Sequence, residues 1–177
     1  SGVTFFLSVF LIAPLVINAY ADKAVDSGAQ GLSEDQKKAG TLSALRNSRD
    51  PKVLDVLIVS LTDASPLVRM SAANALGGQR DKRASLALVK LLNDPDSNVR
   101  CWAARSLGEI RDSLAIEPLI GSMKDESQDV RGAVVEALGR FKDPRIENVL
   151  LSALEDEDSY VRHVAEYNLR SSYDEYE

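Results

Sequence analysis

The chain has 177 residues, 45% of them hydrophobic and only 6% aromatic, the profile of a domain packed from aliphatic and Ala-rich helices. Its 27 acidic and 21 basic residues give a formal charge of −6, a sign that repels phosphate backbones and excludes nucleic acid as the expected partner. A single cysteine cannot close an intrachain disulfide, and a single histidine leaves little with which to build a metal site.

The first segment, "SGVTFFLSVFLIAPLVINAYADKA", differs from everything after it. Val3 to Ile17 is almost uncharged and apolar, and Ala19-Tyr20-Ala21 has the small-x-small form that signal peptidase accepts. Residues 1–21 therefore read as a signal peptide with Ala19 and Ala21 at the cleavage site. The rival is a membrane anchor over residues 2–21, just reaching the roughly 20 apolar residues that a span requires; a hydrophobic helix packed on the folded domain is a third reading. Signal or anchor would place the rest of the chain outside the cytoplasm, exported to the periplasm or tethered to a membrane. Residues 22–33, "DKAVDSGAQGLS", contain two glycines and no apolar periodicity, and read as a flexible linker.

From residue 34 onward the chain repeats. Val68-Arg69, Val99-Arg100, Val130-Arg131 and Val161-Arg162 recur at steps of 31 residues without insertion or deletion. Asp63, Asp94, Asp125 and Asp156 keep the same phase before the pair, and Leu76, Leu107, Leu138 and Leu169 after it. Gly77, Gly108 and Gly139 follow, then Asp81, Asp112 and Asp143, with Asp50 one period earlier. A fixed period of this length marks a solenoid.

Each unit divides into two helices. Asp50-Pro51 and Asp143-Pro144 put an N-cap acceptor before a proline at the first helical position, and Asp81 and Asp112 stand in the same slot. Helix A is predicted over 51–61, 82–92, 113–123 and 144–154, with an apolar stripe such as Val53, Leu54, Leu57, Ile58 and Leu61. Helix B is predicted over 65–77, 96–108, 127–139 and 158–170, with Asp94-Pro95 as a further cap-and-proline start and the glycine as a left-handed stop. Glu34 to Arg46 reads as a degenerate helix B that caps the array. Ala72, Ala73, Ala103, Ala104 and Ala137 would let neighbouring helices approach closely. The Asp and Val-Arg positions recur in every copy, so they are read as structural: Asp caps, and Arg pairs with carbonyls and carboxylates where units meet.

The pattern D-x-x-x-x-V-R-x-x-A-A-x-x-L-G, best formed from Asp94 to Gly108, resembles the HEAT repeat family, in particular the short 31-residue units of the phycobilisome-lyase type. The resemblance covers residues 34–170 and implies an all-α, α-α superhelical solenoid of about four and a half helix pairs, preceded here by the N-terminal hydrophobic helix. It further implies that helix B lines the concave side, a platform for protein contacts. Such folds carry scaffolds, bilin lyases and DNA-repair glycosylases alike.

What varies at exposed positions is where specificity must lie. Stepping 100° per residue from a buried Val99 gives columns that read Leu67, Asn98, Asp129, Tyr160; Met70, Cys101, Gly132, His163; Ser71, Trp102, Ala133, Val164; and Asn74, Arg105, Glu136, Tyr167. From these, Met70, Asn74, Asn98, Cys101, Trp102, Arg105, Glu136, Tyr160, His163 and Tyr167 are assigned to a partner-binding surface, because Met, Trp, Arg and Tyr are interface anchors. No catalytic residue, cofactor or metal is expected. Cys101 and His163 lie two units apart, and Arg105 gives Cys101 some positive field but no base. The run Glu155-Asp156-Glu157-Asp158 spans a turn and a helix start, where carboxylates are stabilising. The acidic tail 171–177, "SSYDEYE", reads as a frayed end. The expected function is a non-enzymatic scaffold or accessory subunit of an exported or membrane-bound complex, binding a protein partner; the alternative is a bilin-lyase-like enzyme or chromophore chaperone.

Overall fold

Side chains ahead of several helices set where they start. Ser33 and Gln36 form a reciprocal capping box, and Asp50 and Asp143 accept hydrogen bonds from the amides of Lys52 and Arg145 ahead of Pro51 and Pro144. In the computed structural model, which describes residues 31–48 and 50–174, nine α-helices follow. They are α1 (Glu34–Ala44), α2 (Pro51–Ser60), α3 (Pro66–Gln79), α4 (Ser85–Leu91), α5 (Ser97–Ile110), α6 (Ile116–Gly121), α7 (Gln128–Leu138), α8 (Pro144–Ala153) and α9 (Ser159–Asp174).

The predicted helix A of 82–92 and 113–123 is not continuous. Asp81 and Asp112 do cap, but the residues they cap, Lys82–Ala84 and Ser113–Ala115, form 3-10 turns before α4 and α6. These two units lack the proline that pre-sets φ at the first helical position, and their first turn tightens instead. Asp94 is not the cap of α5 either. Asp96 holds that place, accepting from the amides of Asn98 and Val99, while Asp94 accepts from the amide of Asp96 within the preceding turn.

The glycines also have a different role from the one predicted. Helices α3 and α5 run through Gly77 and Gly108 and end at the left-handed residues Arg80 (φ 54°) and Arg111 (φ 55°). A Cβ on Gly77 would stand 2.9 Å from the Cα of Ser106, and one on Gly108 would stand 2.7 Å from the Cα of Ala137. The glycines are there because successive B helices touch at these points.

The helices stack in two layers. The B helices α1, α3, α5, α7 and α9 pack in succession, and α2, α4, α6 and α8 each cover the B helix that follows. One core runs from Leu42 to Leu169, with Leu57, Leu76, Leu88, Leu107, Leu119 and Leu138 fully buried and Ala72, Ala73, Ala103 and Ala104 closing the junctions. Each such leucine contributes on the order of 2 kcal/mol.

The expected arginine pairing is present as a ladder. Arg69, Arg100 and Arg131 each give Nε and Nη2 to the aspartate of the next unit, Asp94, Asp125 and Asp156, at 2.7–2.9 Å. Their Nη1 atoms donate to carbonyls of their own turn, such as Asp94 O at 2.9 Å from Arg100. Burial pushes the carboxyls of Asp94 and Asp125 up, but the arginine forks and turn amides outweigh it and hold them below the ordinary aspartate range. The Arg131 fork does the same for Asp156.

The membrane anchor expected over residues 2–21 has no counterpart in the described part of the chain, where no helix is long and apolar enough to cross a membrane. The described helices are 6 to 16 residues long. The expected hydrophobic helix, Ala19, Ala21 and most of the linker lie outside the described residues. At the other end, α9 continues to Asp174, so the start of the acidic tail is helical.

Candidate functional site

Along the helix-B surface, the departures from the repeat gather into one continuous cluster on α5, α7 and α9. Trp102 is half-buried, and the guanidinium of Arg105, one turn on, lies over its ring at 5.6 Å from the centroid. Arg105 Nε comes within 3.8 Å of Glu136 Oε2 on α7, and Arg140 Nη2 donates to Glu136 Oε1 at 3.0 Å. Glu136 and Arg140 then form one wall of an open groove of about 390 Å³, completed by Tyr160, His163, Val164, Tyr167 and Asn168 of α9. Tyr160 and Tyr167 are exposed, 45% and 68%, and present large apolar bodies on this surface. Tyr160 lies against α7 because Gly132 has no side chain to hold it off.

The structure thus brings together Trp102, Arg105, Glu136, Tyr160, His163 and Tyr167 of the predicted set. Met70, Asn74 and Asn98 stand apart, and Cys101 borders the cluster. Met70 packs on the core edge, Asn98 is exposed at the start of α5, and Asn74 is tied to Arg46, whose Nη1 donates to its carbonyl at 2.6 Å and also to its side-chain oxygen. Cys101 is half-buried with Sγ 3.8 Å from the carbonyl of Asp129. Burial pushes its thiol up, Arg105 pulls it down, and Asp129 and Glu136 push it up again, so the net direction is away from a reactive thiolate. Among the described residues no group of three or more His, Cys, Asp or Glu side chains is placed to hold a metal.

Arg140, Arg46 and Glu109 were not singled out from the sequence. Arg46 crosses α3 above Gly78, where any side chain would collide with it, and its Nη2 reaches both oxygens of Glu109 at 2.9 and 2.7 Å. A signal was available: Arg46 stands in the column of Gly77, Gly108 and Gly139, and Glu109 and Arg140 share the next column with Gly78.

A family model described as HEAT repeats matches residues 29–93 and 85–170. Comparison with curated proteins gives no match. Among solved structures, the complex of CpcE and CpcF of phycocyanin lyase from Nostoc sp. PCC7120 matches with a TM-score of 0.69 and 25% identity over 78% of this chain. The chain spans 60% of the length of that protein. An engineered protein matches with a TM-score of 0.58 and 21% identity, over 84% of this chain and 76% of its own, which bears on the fold alone.

The lyase match overturns the reading of a non-enzymatic protein, since the matched chain belongs to a lyase complex. The expected placement as an exported, periplasmic or membrane-bound subunit has no support among the described residues: none of their helices is long and apolar enough to cross a membrane, and the segment that suggested it lies outside them.

Proposed function

The chain belongs to the HEAT repeat family, and from that premise we propose that it is a phycocyanin-lyase-like subunit that holds a bilin-type chromophore on its helix-B surface while contacting a protein partner. The observation that carries this reading is the match to CpcE and CpcF over 78% of the chain. The chemistry of the surface supports it: a bilin is a conjugated, elongated acid, and Trp102, Tyr160 and Tyr167 offer aromatic faces while Arg105 and Arg140 offer cations for carboxylates. The raised pKa of Cys101 fits a site that binds and orients a ligand rather than one that bonds to it. Residues 34–170 are the working unit in this reading, with residues 22–33 as its tether. Met70, Asn74, Asn98 and Cys101, which precede the groove along the array, are assigned to the protein partner.

Visible absorption and circular dichroism of biliverdin, titrated with the protein, test the reading. Binding should shift the visible band and induce a dichroic signal, and Trp102→Ala combined with Tyr167→Ala should weaken both about tenfold or more. Spectra that remain the sum of their components across the titration would remove the chromophore from the proposal.

A further inference from the structure

Arg105 and Arg140 converge on one carboxylate, and they use it unequally. The Arg140 contact at 3.0 Å is a hydrogen bond, whereas the Arg105 Nε contact at 3.8 Å is too long for one. Arg105 Nε is nevertheless shielded from water and donates to nothing. A buried donor without an acceptor is uncommon in a folded chain and asks what satisfies it. Stacking on Trp102 favours the present position of the guanidinium. All three charged side chains of the cluster are 38–39% exposed, so the pairing is screened and readily parted. The same Glu136 and Arg140 border the groove whose far wall is Tyr160 and Tyr167, and its volume of about 390 Å³ lies in the range of small-molecule sites.

We propose that Glu136 is a displaceable stand-in for a ligand carboxylate: a conjugated acid lying along the groove replaces it on Arg140 and gives Arg105 Nε the acceptor it lacks. This rests on the chromophore reading above and adds to it which end of the ligand is held, and by what exchange. Glu136 is then a negative regulator of affinity, keeping the two cations in place and competing for them when a ligand arrives.

Biliverdin and its dimethyl ester, which has the same conjugated body without the two acid groups, separate the terms. The acid should bind the unmodified protein more tightly than the ester. Glu136→Gln should tighten the acid about threefold or more and leave the ester unchanged. Arg140→Met should weaken the acid and not the ester, and should reduce the salt dependence of acid binding. Thermal melting of each variant checks that the fold is kept, and the ester serves as an internal control in any variant that melts early. Equal binding of acid and ester by the unmodified protein, or an acid affinity that Glu136→Gln leaves unchanged or lowers, overturns the exchange while the chromophore reading stands. Failure of both compounds to bind overturns the chromophore reading itself.

Discussion

Along one edge of the array, Arg69, Arg100 and Arg131 are only 8–12% exposed and each grips the aspartate of the next unit with two short bonds. On the helix-B surface, Arg105 and Arg140 share Glu136 at 3.8 and 3.0 Å with more than a third of every side chain in water. The same two chemical groups meet in both places. In the ladder, burial and a bidentate fork tie each arginine to the next unit's aspartate and to its own turn's carbonyls, so losing either partner strands a charge in a dry place. In the cluster, a partner can leave and water or another acid can take its seat. Repetition accompanies the first arrangement and singularity the second: the ladder arginines stand in a column, and Arg105 and Arg140 do not.

The sharpest way to break this contrast is to cut one rung. Arg100→Met removes the fork on Asp125, which is itself only 10% exposed, and strips the donor from the carbonyls of Asp94 and Pro95. It should lower unfolding free energy by about 3 kcal/mol in urea denaturation. A loss below about 1 kcal/mol would put the ladder in the same class as the surface cluster.

Gly108→Ala comes next, and here the sign of the effect is informative. If the glycine only sat in a helix, alanine should stabilise by about 1 kcal/mol through propensity. A Cβ would stand 2.7 Å from the Cα of Ala137, backbone that cannot step aside, so a net loss of about 1–2 kcal/mol is expected from the same denaturation measurement.

Sequence alone made the period, the capping aspartates and the arginine pairing legible, because each recurs in register and any one copy corrects the reading of the others. It could not tell why a glycine stands near a helix end, since a left-handed stop and a close helix contact both select glycine. The actual left-handed residues, Arg80 and Arg111, carry no such signal. Six residues of the candidate cluster were visible as variable columns, whereas Arg46 and Glu109, outside it, are 63 residues apart and meet only because three B helices stack at a particular spacing. No periodicity encodes that distance.

The ladder also has a pH signature. The carboxyls of Asp94 and Asp125, where the arginine forks outweigh burial, and that of Asp156, held by Arg131, titrate below the ordinary aspartate value of about 3.9. A carboxylate depressed in the folded state contributes stability that is complete above the unfolded value and disappears as pH falls through the folded one. Melting temperature should therefore fall as pH drops below about 4. Asp125→Asn should melt lower than the parent at neutral pH, with the gap narrowing as acid protonates the parent's Asp125. A gap that stays constant down to pH about 3 would mean that Asp125 contributes through shape and not through charge.

The smallest effect is expected where the surface cluster is cut. Arg105→Met removes the cation from Trp102 and from Glu136, but Glu136 keeps its hydrogen bond from Arg140, and the thioether covers the same ring face. Half-exposed pairs and stacked cations of this kind contribute well under about 1 kcal/mol each, and the substitution also eliminates a buried donor that has no acceptor. The two terms oppose one another, so urea denaturation of Arg105→Met should match the parent within about 0.5 kcal/mol while Arg100→Met does not. A loss at Arg105 as large as at Arg100 would place the cluster among the structural contacts and leave the helix-B surface without an exchangeable site.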